Sequence, residues 1–249
     1  MEAKRSSVVI FLILINLNFS FLYAQQIAVT YSLDNSERIE ASQQEMLKPD
    51  IDPRKKQMIA VSIQAHIEAR KYTYSLKIAD TTSFFHLNNT MPNDAHQESI
   101  NTMTKAYVNK GNFYQNSSTK QVIEQTTDKQ TNIIYPFDFF DWQLTAETEN
   151  ILGYTCYKAT TTYTEPHPAG GKDFVRHITV WFAPDIPLSF GPQGYGGLPG
   201  LILKKCQSGT CFIADKIEEK KVKIALPKEE TITREAYFNQ FKKANPFGF

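Results

Sequence analysis

The sequence is short of almost everything that announces an activity. It has no Gly-Lys-Ser/Thr step to cradle a phosphate and no Gly-x-Ser-x-Gly elbow to raise a nucleophilic serine. Its five histidines, at 66, 86, 96, 167 and 177, never fall at His-x-x-x-His spacing, so each is expected on the surface or in a loop and not on a metal. No metal and no cofactor is therefore expected. Charge of one sign is also missing: 27 basic residues face 26 acidic ones, a balance that argues against the basic stripe nucleic acid requires. Cysteine is scarce, with Cys156, Cys206 and Cys211 alone, and none is spaced as a Cys-x-x-Cys redox pair. Beyond residue 24 no run approaches the roughly 20 apolar residues that a spanning helix needs.

What is present begins with a leader. Lys4-Arg5 precede an apolar run from Val8 to Ile15 that continues through Phe19 to Tyr23-Ala24, the layout of a secretory signal peptide over residues 1–24. Asn16 and Asn18 make it a poor membrane span, and Leu22 stands where the cleavage site prefers a small residue. No cysteine closes the run, so a lipid-anchored start is not expected. Residues 25–249 then read as one exported domain, in the periplasm or outside the cell, because no repeat or Gly/Ser/Pro-rich linker divides them.

Strand-like alternation dominates that domain. Ile27 to Leu33, Tyr72 to Ile78, Asn112 to Asn116, Lys120 to Thr126, Thr131 to Tyr135, Gly153 to Thr160 and Phe174 to Phe182 all fit period-2 strands, and Thr104 to Val108 is a further short candidate. Leu201 to Lys205 and Cys211 to Ile217 read as two hairpin arms, with Lys221 to Leu226 as another strand. Asp52-Pro53 is a helix start, and Lys55 to Ala69 lacks glycine and proline, which favours a helix there. A short C-terminal helix is expected from Thr233 through Phe241. Asp34 to Pro49 reads as a loop or a weak helical turn, Asn88 to Asn101 as irregular, and Glu149-Asn150 as the approach to a turn. The expected fold is mainly β (α+β): a curved antiparallel sheet, open to a half-barrel form, with one helix packed on it.

Between the last two strong strand regions lies Gly191-Pro192-Gln193-Gly194-Tyr195-Gly196-Gly197-Leu198-Pro199-Gly200-Leu201-Ile202-Leu203. Glycine reaches positive φ without steric cost and proline fixes φ, so their alternation specifies a bent, rigid path. Gly197 and Gly200 are expected to serve through their backbone, Leu198, Leu201 and Ile202 through burial, and Tyr195 to be nearly silent for stability. A ligand-facing or partner-facing edge is the alternative. Cys206 and Cys211 flank Gln207-Ser208-Gly209-Thr210 and are expected to bridge across the hairpin, the other reading being two reduced thiols. Cys156 would stay unpaired in a strand. Asp138 and Asp141 among Phe139, Phe140 and Trp142 fit a turn rim better than an acid-base pair.

The hexapeptide Gly197-Leu198-Pro199-Gly200-Leu201-Ile202 resembles the signature of the GLPGLI family, exported proteins of unknown function from Bacteroidetes-type bacteria. Asp141-Trp142-Gln143-Leu144, Ile151 to Thr160 with its Gly-Tyr-x-Cys-x-Lys-Ala step, and Thr179 to Pro187 are similar to further family blocks. The resemblance implies no reaction, and the cysteine pair lies outside its pattern. Three functional readings remain: a non-catalytic carrier of an apolar small molecule, an accessory protein docking an envelope partner through the loop, and, least favoured, a hydrolase. An apolar groove would favour the carrier; a flat exposed patch around Tyr195 would favour docking.

Overall fold

The computed structural model describes residues 26–88, 98–127, 131–167 and 172–244. The leader, His96 and Gly170-Gly171 lie outside them. Alternation decides most of what is seen. β1 (Ile27–Asp34) buries Ile27, Val29, Tyr31 and Leu33 while their neighbours face outward. The same period shapes β2 (Thr73–Ala79) and β3 (Thr82–Leu87); in β4 (Asn112–Asn116), β5 (Gln121–Gln125) and β6 (Asn132–Pro136) burial does not alternate, and adjacent residues such as Phe113, Tyr114 and Gln115 are buried together. β7 (Gln143–Ile151), β8 (Tyr154–Glu165), β9 (Phe174–Ala183), β10 (Leu201–Gln207), β11 (Thr210–Glu219) and β12 (Thr231–Thr233) complete the strands. All twelve belong to one open sheet in the order β12-β6-β5-β4-β3-β2-β1-β11-β10-β9-β8-β7.

The sheet is not purely antiparallel, since β12 runs parallel to β6. It is strongly curved. β5 and β8 stand eight strand spacings apart in the order, roughly 38 Å on a flat sheet. Yet Arg234 reaches Glu124 on β5 at 3.7 Å and Glu165 on β8 at 3.0 Å. Only a sheet curled onto its own concave face brings those two strands to one side chain.

Four helices accompany it among the described residues, where one packed helix and one short C-terminal helix were expected. α2 (Pro53–Ala69) starts as anticipated: the Asp52 carboxylate accepts from the Arg54 and Lys55 amides, and Pro53 opens the first turn. α1 (Ser36–Met46) replaces the expected loop, because Ile39 finds a buried place that its polar sequence does not announce. α3 (Glu98–Val108) absorbs the expected strand at Thr104 to Val108. Thr104 and Val108 are four residues apart and both buried, a helical face that a five-residue apolar run cannot distinguish from a strand. His66 of α2 stacks on Tyr107 of α3 at 3.9 Å, and Tyr74 ties α3 to β2 through the Val108 carbonyl. α4 (Arg234–Ala244) closes the described chain.

One further expectation fails for a neighbourly reason. Lys221 to Leu226 forms no strand, because both edges of β11 are already taken by β1 and β10. The turn to which Glu149-Asn150 was expected to lead stands at Leu152-Gly153, where the Asn150 side chain accepts from the Gly153 amide. Cys206 and Cys211 face each other across β10 and β11 and form a disulfide, while Cys156 is free and buried on β8. No described helix is long and apolar enough to cross a membrane.

Candidate functional site

The glycine loop is held at every step. The Gly197 amide donates to the Ser189 carbonyl at 3.0 Å, Leu201 to Ile186 at 3.0 Å and Ile202 to Phe190 at 3.0 Å. From outside the loop, the Trp142 indole donates to the Gly196 carbonyl at 2.9 Å. Gln115 of β4, itself 1 % exposed, donates to the Gly194 carbonyl at 3.1 Å. A loop whose backbone groups are this well paired is a fixed wall. Leu198, Leu201 and Ile202 are all buried, as the sequence led us to expect.

The two glycines act by different means. Gly197 has φ +83°, and a Cβ there would meet nothing nearer than the Phe137 carbonyl oxygen at 3.6 Å. Gly200 is not in the left-handed region; a Cβ there would lie 2.3 Å from the Ala183 carbonyl oxygen of β9. Gly191 is extended, and Pro192 to Gly194 form one short turn in which Gln193 is left-handed. Pro199 stands at the outer side, against the groove described below.

Tyr195 is the clear correction. Instead of lying idle beside the turn it is 5 % exposed, stacked on Phe140 at 4.5 Å, with its hydroxyl 3.2 Å from that of Tyr163. The left-handed pair Gln193-Gly194 reverses the chain just before it and aims the ring into the concave face. Tyr195→Ala is expected to cost about 3–5 kcal/mol, as for other buried aromatics. Denaturant melts test this, and a change below about 0.5 kcal/mol, the scale of surface substitutions, would show the ring to be unpacked.

Beneath the loop lies a cavity of about 450 Å3. Gln193 and Tyr195 form its roof, and Phe113, Tyr135 and Phe140 add aromatic walls. Charge enters from five cations, Arg38, Lys110, Arg176, Lys205 and Arg234, against two carboxylates, Glu124 and Glu165. Arg234 sits in a cage of the Tyr135, Phe139, Tyr163 and Phe238 rings, each 5.4–5.7 Å away, while pairing with both carboxylates. Arg176 holds Glu165 at 2.7 Å. Burial raises the Glu124 carboxyl and pushes the Tyr195 phenol well above its usual range. His66 is buried, not superficial; desolvation, with Arg38 and Lys110 nearby, lowers it to about 4, so it is neutral at pH 7.

Lys205 is the strongest anomaly. It is 2 % exposed, and desolvation, reinforced by Lys110 and Arg176, lowers its amine to about 7. Period 2 alone misplaces it: β10 bulges between Ile202 and Lys204, so Lys205 pairs with Val180 on the face of Ile202 and not on that of Leu201. The other charged members, Glu124, Glu165, Arg176 and Arg234, carried no sequence signal, because curvature alone gathers them. Asp138 and Asp141 are exposed in a turn and stay out of the cavity, and no described group of histidines, cysteines or carboxylates could hold a metal ion.

Outside the cavity, Leu144, Tyr157, Phe182, Pro184 and Pro199 line a more open groove of about 530 Å3.

Residues 171–204 match the model of a family described as protein of unknown function (Porph_ging). The match covers β9, the loop and the start of β10. No curated protein matches the chain. Two solved structures of PNGF-II are similar in fold: one at TM-score 0.51 and 16 % identity over 89 % of this chain and 34 % of that one, the other at 0.50 and 15 % over 89 % and 33 %. This chain thus spans about a third of PNGF-II, and the likeness at such identity concerns the fold alone.

Proposed function

We propose that this chain is an exported, non-catalytic binding module of the GLPGLI type, a half-barrel whose ligand sits in the cavity beneath the glycine loop. The observation that carries this reading is the roof: Tyr195 and Gln193 of the most specific stretch in the sequence face the cavity, on a loop whose backbone is fixed from three sides. Binding sites are typically concave, largely preformed and of 300–1,000 Å3, with aromatic walls and a few placed polar groups. The charged lining favours a ligand with polar groups over the wholly apolar molecule expected from the aromatic strands.

Native mass spectrometry of protein purified from its own envelope tests the proposal. A small molecule is expected to stay bound in gentle ionisation and to leave on denaturation. Protein that is always of bare chain mass, with no molecule recovered by solvent extraction, would count against it.

A second reading has one observation of its own. Leu144, 62 % exposed, and Tyr157 flank the outer groove beside Pro199, which suits docking of an envelope partner. The inward turn of Tyr195 removes the patch on which that reading first relied.

A further inference from the structure

A full charge taken out of water costs several kcal/mol unless it is matched. The cavity matches most of its charges and leaves one deep cation unmatched. Glu165 is held by Arg176 and Arg234, and Glu124 by Arg234. The Lys205 amine donates instead to two amide oxygens, Gln193 Oε1 and Gln207 Oε1, each at 2.8 Å. It also lies 4.8 Å from the Tyr195 ring centre and 5.8 Å from that of Phe212. Amide oxygens and ring faces solvate a cation without neutralising it. Arg38 and Lys110, which line the same cavity, form no ion pair with a carboxylate among the described residues.

We propose that the cavity takes a small organic anion, whose carboxylate, phosphate or sulfate group pairs with the Lys205 amine while its remaining part lies against the Tyr195 and Phe113 rings. Arg38 and Lys110 supply a field of the same sign at longer range. The assignment rests on the cavity being the ligand site, as argued above. Charge-assisted hydrogen bonds from a buried ammonium are short and strong, and the glutamines at 193 and 207 hold the amine in place for them. The cations acting on that amine are Lys110 and Arg176; Arg38, Arg234, His66, Tyr195, Glu124 and Glu165 line the same cavity. His66 is neutral above about pH 4, burial keeps Tyr195 protonated, and Lys110 is drawn down in the same direction as Lys205. The positive field therefore weakens as pH rises above about 7.

Isothermal titration at pH 6 and low ionic strength with sodium sulfate, sodium phosphate and sodium succinate separates the three headgroups. At least one is expected to bind one to one. Lys205→Met should weaken that binding at least tenfold, and Lys216→Met, on a lysine with a 63 % exposed side chain, should leave it unchanged. A second arm needs no variant: sulfate keeps its charge across the range, and its affinity for the wild-type protein should fall at least tenfold from pH 6 to pH 9. Equal binding by wild type and Lys205→Met, no anion binding at all, or an affinity flat in pH would overturn the assignment. If native mass spectrometry finds a neutral molecule that none of the anions displaces, the anion falls and the cavity stands as a site. If no molecule co-purifies and no anion binds, both fall.

Discussion

Gly200→Ala is expected to destabilise the protein by about 3 kcal/mol or more, the upper range for forcing extra atoms into a packed interior. The obstacle is backbone, not a side chain that can swing away. A methyl group at this position would lie 2.3 Å from the Ala183 carbonyl oxygen and 2.6 Å from its carbon. Ala183 pairs with Leu201, so relief requires moving β10 away from β9 where the sheet is most buried. Gly197→Ala meets no such contact and is expected to cost about 1–2 kcal/mol, the strain of holding a side chain at φ +83°. Gly153→Ala, at φ +86° with nothing within 4 Å of a Cβ, isolates that strain on a distant turn. Denaturant melts of the three variants should rank Gly200→Ala far below the other two. Equal costs at all three positions would mean that conformation alone, not strand approach, explains the signature glycines.

The second large effect concerns pH. Lys205 is held at about 7 in the folded protein and titrates near 10.5 when unfolded. Below about pH 7 the amine is charged in both states and the burial cost is present in full. Between 7 and 10.5 the unfolded chain binds the extra proton, so stability rises with pH, by up to about 1.4 kcal/mol per unit and on the order of 3–5 kcal/mol in all. The buried phenols oppose this only above about pH 10, where the unfolded tyrosines lose their protons and the folded ones do not. His66 adds an earlier rise between about pH 4 and 6.5, since its folded value lies below its unfolded one. Stability is thus expected to climb across pH 7 to 9; lower down the raised Glu124 carboxyl opposes the His66 rise, and from about pH 9 the raised Cys156 thiol opposes that of Lys205. Lys205→Met should flatten the upper part and be more stable than wild type at pH 6 by a few kcal/mol, less about 1 kcal/mol for each lost hydrogen bond. Urea melts at pH 6, 7.5 and 9 give the slopes; a wild-type curve that is flat or falling over this window would show that Lys205 is solvated.

Where a run of side chains alternated cleanly, the sequence carried its own answer. Tyr74, Leu76 and Ile78 on β2, the aliphatic start of β10 and the Asp52-Pro53 entry to α2 each combine pattern with a boundary residue, and each lies where expected. The misses are tertiary. α1 is polar almost throughout and exists because one residue, Ile39, is buried beneath it. α3 and a strand make the same demand on Thr104 to Val108 over so short a run. β12 takes a parallel partner that no local signal names. For the site, counting twos from Leu201 misplaces Lys205, because β10 bulges between Ile202 and Lys204. Its companions had no local signal either: Glu165 meets Arg234 across 69 residues of chain, and Gln115 meets Gly194 across 79. Such pairs come from sheet curvature, which is the sum of many small twists and bulges and is written at no single position. Tyr195 was misjudged because a ring beside glycines reads as exposed unless the left-handed turn before it is known.

The test that goes most directly to the cavity is a crystal structure of the protein taken from its own envelope without refolding. Ordered density for a bound molecule is expected beneath Tyr195, with an acidic group within hydrogen-bonding distance of Lys205 Nζ. A well-ordered cavity holding water alone, with a partner or ligand seated instead on the outer groove beside Pro199, would contradict the proposal and favour docking.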